Sequence, residues 1–212
     1  MFREHYIAEL DRTRSALLDM GLLAEKALTA ALESLTKSDR TAAEPVRGLE
    51  QKIDACHKEI YERCLSLMTL QAPVAGDARL ITGVLGSIVD LEAIGNYADE
   101  IAQFVLGMHS RPVSAALNEL AEVAKKVEDM LTRAFESWRN LDRPLGLSIR
   151  PMQTGVKDDC QRLIEKFTTM SVSSRDNSAY VGMILVCKYL ERIAAHSVNV
   201  AEQAAFAAPS YA

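Results

Sequence analysis

Glycine and proline are scarce in this chain, 10 and 6 among 212 residues. A fold of many short strands draws on both for its turns. Their scarcity, with Ala, Leu, Glu and Arg abundant, therefore excludes a many-turned β architecture and favours long helices. Basic charge is also short. Lys and Arg number 24 against 29 Asp and Glu, for a net charge of -5, and no cluster of them forms a face that would track a phosphate backbone, which excludes a general nucleic-acid binder. Long apolar runs are missing as well. The longest, Ala179 to Cys187, stops at Lys188 and is about half the length a bilayer-spanning helix needs. The start is charged from its third residue and lacks the apolar core of a secretory signal, so a cytoplasmic chain without membrane insertion is expected.

Cysteine is used sparingly and without pattern. Cys56, Cys64, Cys160 and Cys187 make no C-x-x-C and no zinc spacing, and among apolar neighbours they read as buried, reduced thiols. Enzyme signatures are thin. There is no Gly-rich phosphate loop and no G-x-S-x-G, and of the Glu-x-x-His pairs that a di-iron bundle requires on two helices only Asp54-Ala-Cys-His57 comes near. No catalytic residue is assigned, and nothing resembles a phosphate pocket.

What the chain has is ample apolar content, 49%, arranged at helical spacing and written twice. Breakers mark six helices, at about 3–37, 39–71 with an irregular start around Pro45, 77–109, 114–140, 149–171 and 177–207. "AEKALTAALESLTKSD" from Ala24 lies over "VEDMLTRAFESWRNLD" from Val127 at an offset of 103, sharing Glu, Leu-Thr, Ala, Glu-Ser and the final Asp. "DLEAIGNYADEIAQ" from Asp90 and "YLERIAAHSVNVAE" from Tyr189 match at an offset of 99. Ordered, collinear matches of this kind point to internal duplication. An all-α chain of two tandem three-helix bundles is expected, with repeats at 1–110 and 111–212.

"MGLLAEKAL" (Met20 to Leu28), "LEQKID" (Leu49 to Asp54), "LQAPVAGDARLI" (Leu70 to Ile81) and the paired phrases occur in one order inside this duplicated layout. Together they resemble the PhoU family, cytoplasmic regulators that accompany bacterial phosphate-specific transport. The resemblance covers nearly the whole chain. It implies a negative regulator of phosphate uptake and starvation signalling, acting by contact with the ATPase subunit of a phosphate ABC transporter and with a sensor histidine kinase, and forming a homodimer. It also implies E(D)-x-x-x-D motifs on the second and third helix of each unit, associated in the family with bound metal ions.

Carboxylates at i and i+4 share a helix face. Buried together they repel and lose hydration, and so call for protonation, a basic partner or a cation. In the first repeat Glu50 and Asp54 keep this pattern, with His57 at i+7, and Glu92 and Asn96 stand opposite with Asn where the family has Asp; Asp99 follows one turn on. A single divalent cation (iron, zinc, manganese or magnesium) at Glu50, Asp54, Glu92 and Asn96 is the site expectation. The plainer alternative is a wet groove crossed by salt bridges. In the second repeat Glu191 remains, but its i+4 position is Ala195, and an offset of 102, taken from the "LM" and "TM" ends, places Met152 and Val156 where Glu50 and Asp54 would be. No cluster is expected there unless Asp158 and Asp159 substitute. Asp77 is read as the N-cap of the third helix and Arg79 as supporting that turn or facing a partner. His196 and Asn199 are read as interhelical hydrogen-bonding groups, and Glu191 as a relic ligand or a groove-edge residue. The competing classes are a metal-dependent carboxylate bundle and a helical adaptor with other partners.

Overall fold

The computed structural model describes residues 2–70, 73, 75–108, 114–173 and 177–209. These form α1 (Phe2–Lys37), α2 (Arg40–Ala43), α3 (Val46–Leu70), α4 (Ala75–Gly107), α5 (Ser114–Asn140), α6 (Arg143–Ser148), α7 (Arg150–Ser173) and α8 (Ser178–Ala207), with no strand among the described residues. The six long helices make two tandem three-helix bundles, α1, α3 and α4, then α5, α7 and α8. The boundary expected between residues 110 and 111 lies outside the described residues. No helix is long and apolar enough to cross a membrane, among the described residues.

The first turn of each repeat shows how local chemistry repeats. Ser38 and Leu141, 103 residues apart, both take a left-handed backbone, with φ of 51° and 48°, closing α1 and α5. Each is followed by an aspartate cap: Asp39 accepts from the Thr41 N–H (2.9 Å) and Asp142 from the Leu145 N–H (2.9 Å). The next residue is an arginine in both. Arg40 reaches the Leu106 carbonyl at the end of α4, and Arg143 donates to the Ala205 carbonyl (3.2 Å) at the end of α8. A guanidinium thus satisfies a terminal carbonyl and complements the negative end of each third helix. The irregular start around Pro45 is the break between α2 and α3, where proline has no N–H to continue the ladder.

Burial aligns α3 with α7 at 103, not 102: Val46, Ile53, Ile60 and Cys64 are buried where Ile149, Val156, Leu163 and Phe167 are. The residues at the places of Glu50 and Asp54 are therefore Gln153 and Lys157 rather than Met152 and Val156. α4 and α8 align at 99, with Leu91 and Ile94 over Leu190 and Ile193.

One core runs through both repeats. The most extensive helix pairing is between α4 and α8, across the two repeats, and α1 also packs on α5. α4 and α8 run antiparallel along a seam with seven-residue spacing: Gly83, Asp90, Tyr97 and Phe104 face Gln203, His196, Tyr189 and Gly182. Such spacing keeps one stripe of each helix on its partner. Gly182 is needed there, since a Cβ would lie 1.8 Å from the Phe104 ring. Trp138 of α5 is fully buried, and its Nε1 donates to Ser87 Oγ of α4 (3.0 Å) and to the Val200 carbonyl of α8 (3.1 Å), joining three helices.

Candidate functional site

The acidic residues of the first repeat meet in the groove between α3 and α4. Ile53 packs on Gly95, where an added Cβ would come within 2.9 Å of the Ile53 side chain, and this close approach brings the carboxylates on either side of it together. Glu50 is half-buried, and its carboxyl is pushed above the usual range first by burial, then by Asp54, Asp99 and Glu92, with Arg47 opposing. One turn along, His57 Nδ1 lies 2.6 Å from Glu92 Oε2, so the base on α3 already engages the carboxylate on α4. Asn96 lies on the exposed side of α4, while Asp99 is half-buried toward Glu50. Among the described residues no three His, Cys, Asp or Glu side chains converge as a ready ligand set. The donors are hard oxygens plus one imidazole, gathered but held apart.

The equivalent groove of the second repeat has different chemistry. Gln153 and Lys157 replace Glu50 and Asp54, and Cys160 stands in the place of His57. Cys160 and Cys187 face each other, both buried, and the neighbouring thiol together with burial drives the Cys160 thiol far upward, with Glu191 and Asp159 adding to it. Cys160 is therefore a poor thiolate. Glu191 is bound by Lys188 on its own helix (2.9 Å), and Arg192 is exposed. Asp159 pairs with Lys126 of α5 (2.5 Å) and with Arg162, while Asp158 is exposed. All four cysteines are free.

His196 and Asn199 lie on the α4–α8 seam, where both meet Asp90. His196 Nδ1 is 2.7 Å from Asp90 Oδ1, and Asn199 Nδ2 donates to the same oxygen (2.9 Å). The mirror of this cluster under the 99-residue relation is Tyr189 with Tyr97 and Glu100, and those residues meet too. The rings of Tyr97 and Tyr189 are 5.6 Å apart, and the Tyr189 hydroxyl donates to Glu100 Oε2 (3.4 Å). Tyr97 and His196, equivalent residues of the two repeats, sit 5.9 Å apart at the centre. Burial, then Glu100, raises the Tyr189 hydroxyl. Asp90 was not marked as a site residue from sequence. Its signal was the seven-residue spacing from Gly83 to Asp90 to Tyr97 in an otherwise apolar stripe.

Asp77 does not cap α4. The helix begins at Ala75, so Asp77 lies inside the first turn, favourably placed against the helix dipole, and it faces Tyr6 of α1, whose hydroxyl is raised by burial and by that charge. Arg79, two residues on, is half-buried, and its Nε has no hydrogen-bond partner among the described residues.

The family model of the PhoU domain matches the chain twice, at residues 17–105 and 120–204. A phosphate-specific transport system accessory protein PhoU homolog of Synechocystis is 28% identical over 204 residues, covering 96% of this chain and 91% of that protein. One from Clostridium acetobutylicum is 30% identical over 210 residues, covering 95% and 93%. The crystal structure of PhoU from Pseudomonas aeruginosa superposes with a TM-score of 0.91 at 28% identity, covering 95% of this chain and 98% of that one. A phosphate transport system regulatory protein PhoU from Streptococcus pneumoniae shares the fold, with a TM-score of 0.87 at 20% identity. Matched in both repeats by the domain model and along nearly its whole length by these relatives, the chain belongs to the PhoU family.

Proposed function

We propose that this chain is a cytoplasmic, non-enzymatic negative regulator of phosphate uptake and of the phosphate-starvation response. It acts by binding the ATPase subunit of a phosphate ABC transporter and a sensor histidine kinase, and it works as a homodimer. The observation that carries this reading is the match of both repeats, end to end, with accessory proteins of phosphate-specific transport. Such a protein regulates by binding one state of its partner better than another, which shifts the partner's population. Long helices present the extended surface this requires, and a chain of net charge -5 suits partners with basic patches.

A divalent cation in the first repeat belongs to the same proposal. Glu50, Asp54, Glu92 and Asp99 would hold it, and His57 would either join them or release Glu92 to them. The raised Glu50 carboxyl supports this, because a cation relieves the repulsion that raises it. Because no three donors converge beforehand, binding requires the side chains to close in, so modest affinity is expected. Asn96, from its exposed place on α4, would reach such a cation only through water.

The deciding experiment is binding of the purified chain to the transporter's ATPase subunit from the same organism, with added manganese or with chelator. Binding that survives chelation makes the regulator independent of the acidic groove. Binding lost on chelation, and equally lost in Glu92→Gln but not in Glu191→Gln, places the cation in the first repeat. No binding in either state removes the regulator reading in favour of an adaptor with other partners.

A further inference from the structure

The duplication allows the outer faces of the two repeats to be compared residue by residue, and they carry their exposed apolar residues at different positions. On the outer face of α3, Tyr61, Leu65 and Met68 are 50%, 47% and 50% exposed, and Val89 beside them on α4 is 57% exposed. Tyr61, Leu65 and Met68 stand at i, i+4 and i+7 and form a stripe along α3. Tyr61, Leu85 and Val89 line an open notch of about 460 Å³ between the helices, with His57, Lys58 and Glu62 at its rim. In the second repeat Leu65, Met68 and Val89 become Thr168, Ser171 and Lys188. Tyr61 and Leu85 become Ile164 and Ile184, so the notch stays apolar in part, whereas the architecture folds without apolar side chains at the other three positions.

The exposed fractions amount to a patch on the order of 400 Å², comparable to the largest apolar patch of a typical monomer, which is often functional. It is about half of the ~800 Å² that each side of a standard interface contributes. Its rim decides the occupant. Lys58 and Glu62 are exposed, carry opposite charges four residues apart, and form no ion pair with any described residue. A surface with one free cation and one free anion beside an apolar notch is complementary to its own two-fold image.

We propose that this face of α3 and α4 is where a second copy of the chain docks, in a two-fold interface burying Tyr61, Leu65, Met68 and Val89, with Lys58 of each copy meeting Glu62 of the other. The proposal rests on the homodimer reading and adds the surface to it. Only the first repeats touch, so the second repeats point away and remain available to other partners.

The test is the mass of the full chain in solution, by sedimentation over a range of protein concentrations. Wild type is expected to be dimeric. Leu65→Asp, at a half-exposed position that leaves the core intact, is expected to be monomeric with its helical circular dichroism and cooperative unfolding retained, whereas Leu185→Asp on exposed α8 surface stays dimeric. Lys58→Glu and Glu62→Lys each weaken the dimer roughly tenfold or more. The double reversal in one chain recovers it, since the reciprocal pairs are rebuilt. A wild-type dimer untouched by Leu65→Asp overturns this surface while leaving the homodimer standing. A wild-type monomer overturns both. Failure of the double reversal to recover the dimer overturns the reciprocal pairing of Lys58 with Glu62.

Discussion

The two repeats share their turns, caps and core positions almost residue for residue, and differ in their α3–α4 and α7–α8 grooves and on their outer faces. In the first repeat Glu50, Asp54, Glu92 and Asp99 crowd one groove, and the adjacent surface is apolar. In the second, Gln153 and Lys157 neutralise the groove, two buried thiols fill its floor, and the outer face carries its exposed apolar residues elsewhere, at Val172, Val181 and Leu185. Even packing is redistributed: Ile53 on Gly95 becomes Val156 on Ala194, moving about one methyl from one helix to the other at nearly constant volume. What the repeats keep maintains the fold.

Truncating the core position that differs most between the repeats should have the largest effect. Trp138→Ala is expected to cost ~3–5 kcal/mol, more than Leu35→Ala at the equivalent position, because it also leaves Ser87 and the Val200 carbonyl without their shared donor. Urea unfolding midpoints of the two variants measure the difference, and equal losses would mean the indole hydrogen bonds contribute nothing. The two clusters on the seam should also differ. Asp90→Ala strands His196 and Asn199 at a cost of ~1–3 kcal/mol, while Tyr189→Phe gives up a long hydrogen bond worth less than ~1 kcal/mol. If Tyr189→Phe proved the worse of the two, the seam would be held by its aromatic side.

A smaller effect separates the two packing solutions. Gly95→Ala in the Ile53→Val background should behave like the second repeat, and a double-mutant cycle should show favourable coupling of ~0.5–1 kcal/mol between the sites; additive changes would mean the helices simply move apart. Smallest is the pH effect at Glu50. Its folded value lies above the unfolded one, so the stability it contributes is complete below the ordinary carboxylate range and is lost as pH rises through the raised value. Glu50→Gln, which imitates Gln153, should therefore melt slightly higher than wild type near neutral pH, with the gain fading as pH falls to about 4. A gain that persisted at low pH would point to packing rather than charge.

The fold was legible because a duplicated chain states its rules twice. Helix ends fell at Asp39, Asp142 and the prolines, where capping chemistry is local. The register of α3 against α7 was misplaced by one residue because it was anchored on the "LM" and "TM" ends, and Met68 faces solvent; the buried Ile53 and Val156 carry the true alignment. Spacing also treated Asn96 as the natural partner of Glu92. At about 100° per residue, i+4 overshoots a full turn by about 40° and i+7 falls short of two turns by about 20°, so Asp99 returns to the groove while Asn96 swings outward. The spacing of Gly83, Asp90 and Tyr97 marks a stripe, but the partners of Asp90 lie 106 and 109 residues away, and the spacing does not name them.

The meeting of Tyr97 with His196 on the seam has a further consequence. If the two repeats were separate identical chains associating as a pair, the residues at equivalent positions would have to be the same, and an acid at position 90 would be accompanied by a second acid at its counterpart. Joining them in one gene removes that requirement. Position 90 is free to be an aspartate while its counterpart at 189 is a tyrosine, and position 196 a histidine while its counterpart at 97 is a tyrosine. A single substitution then alters one side of the junction alone, so selection can adjust the angle between the halves in steps that a pair of identical chains could take only two at a time.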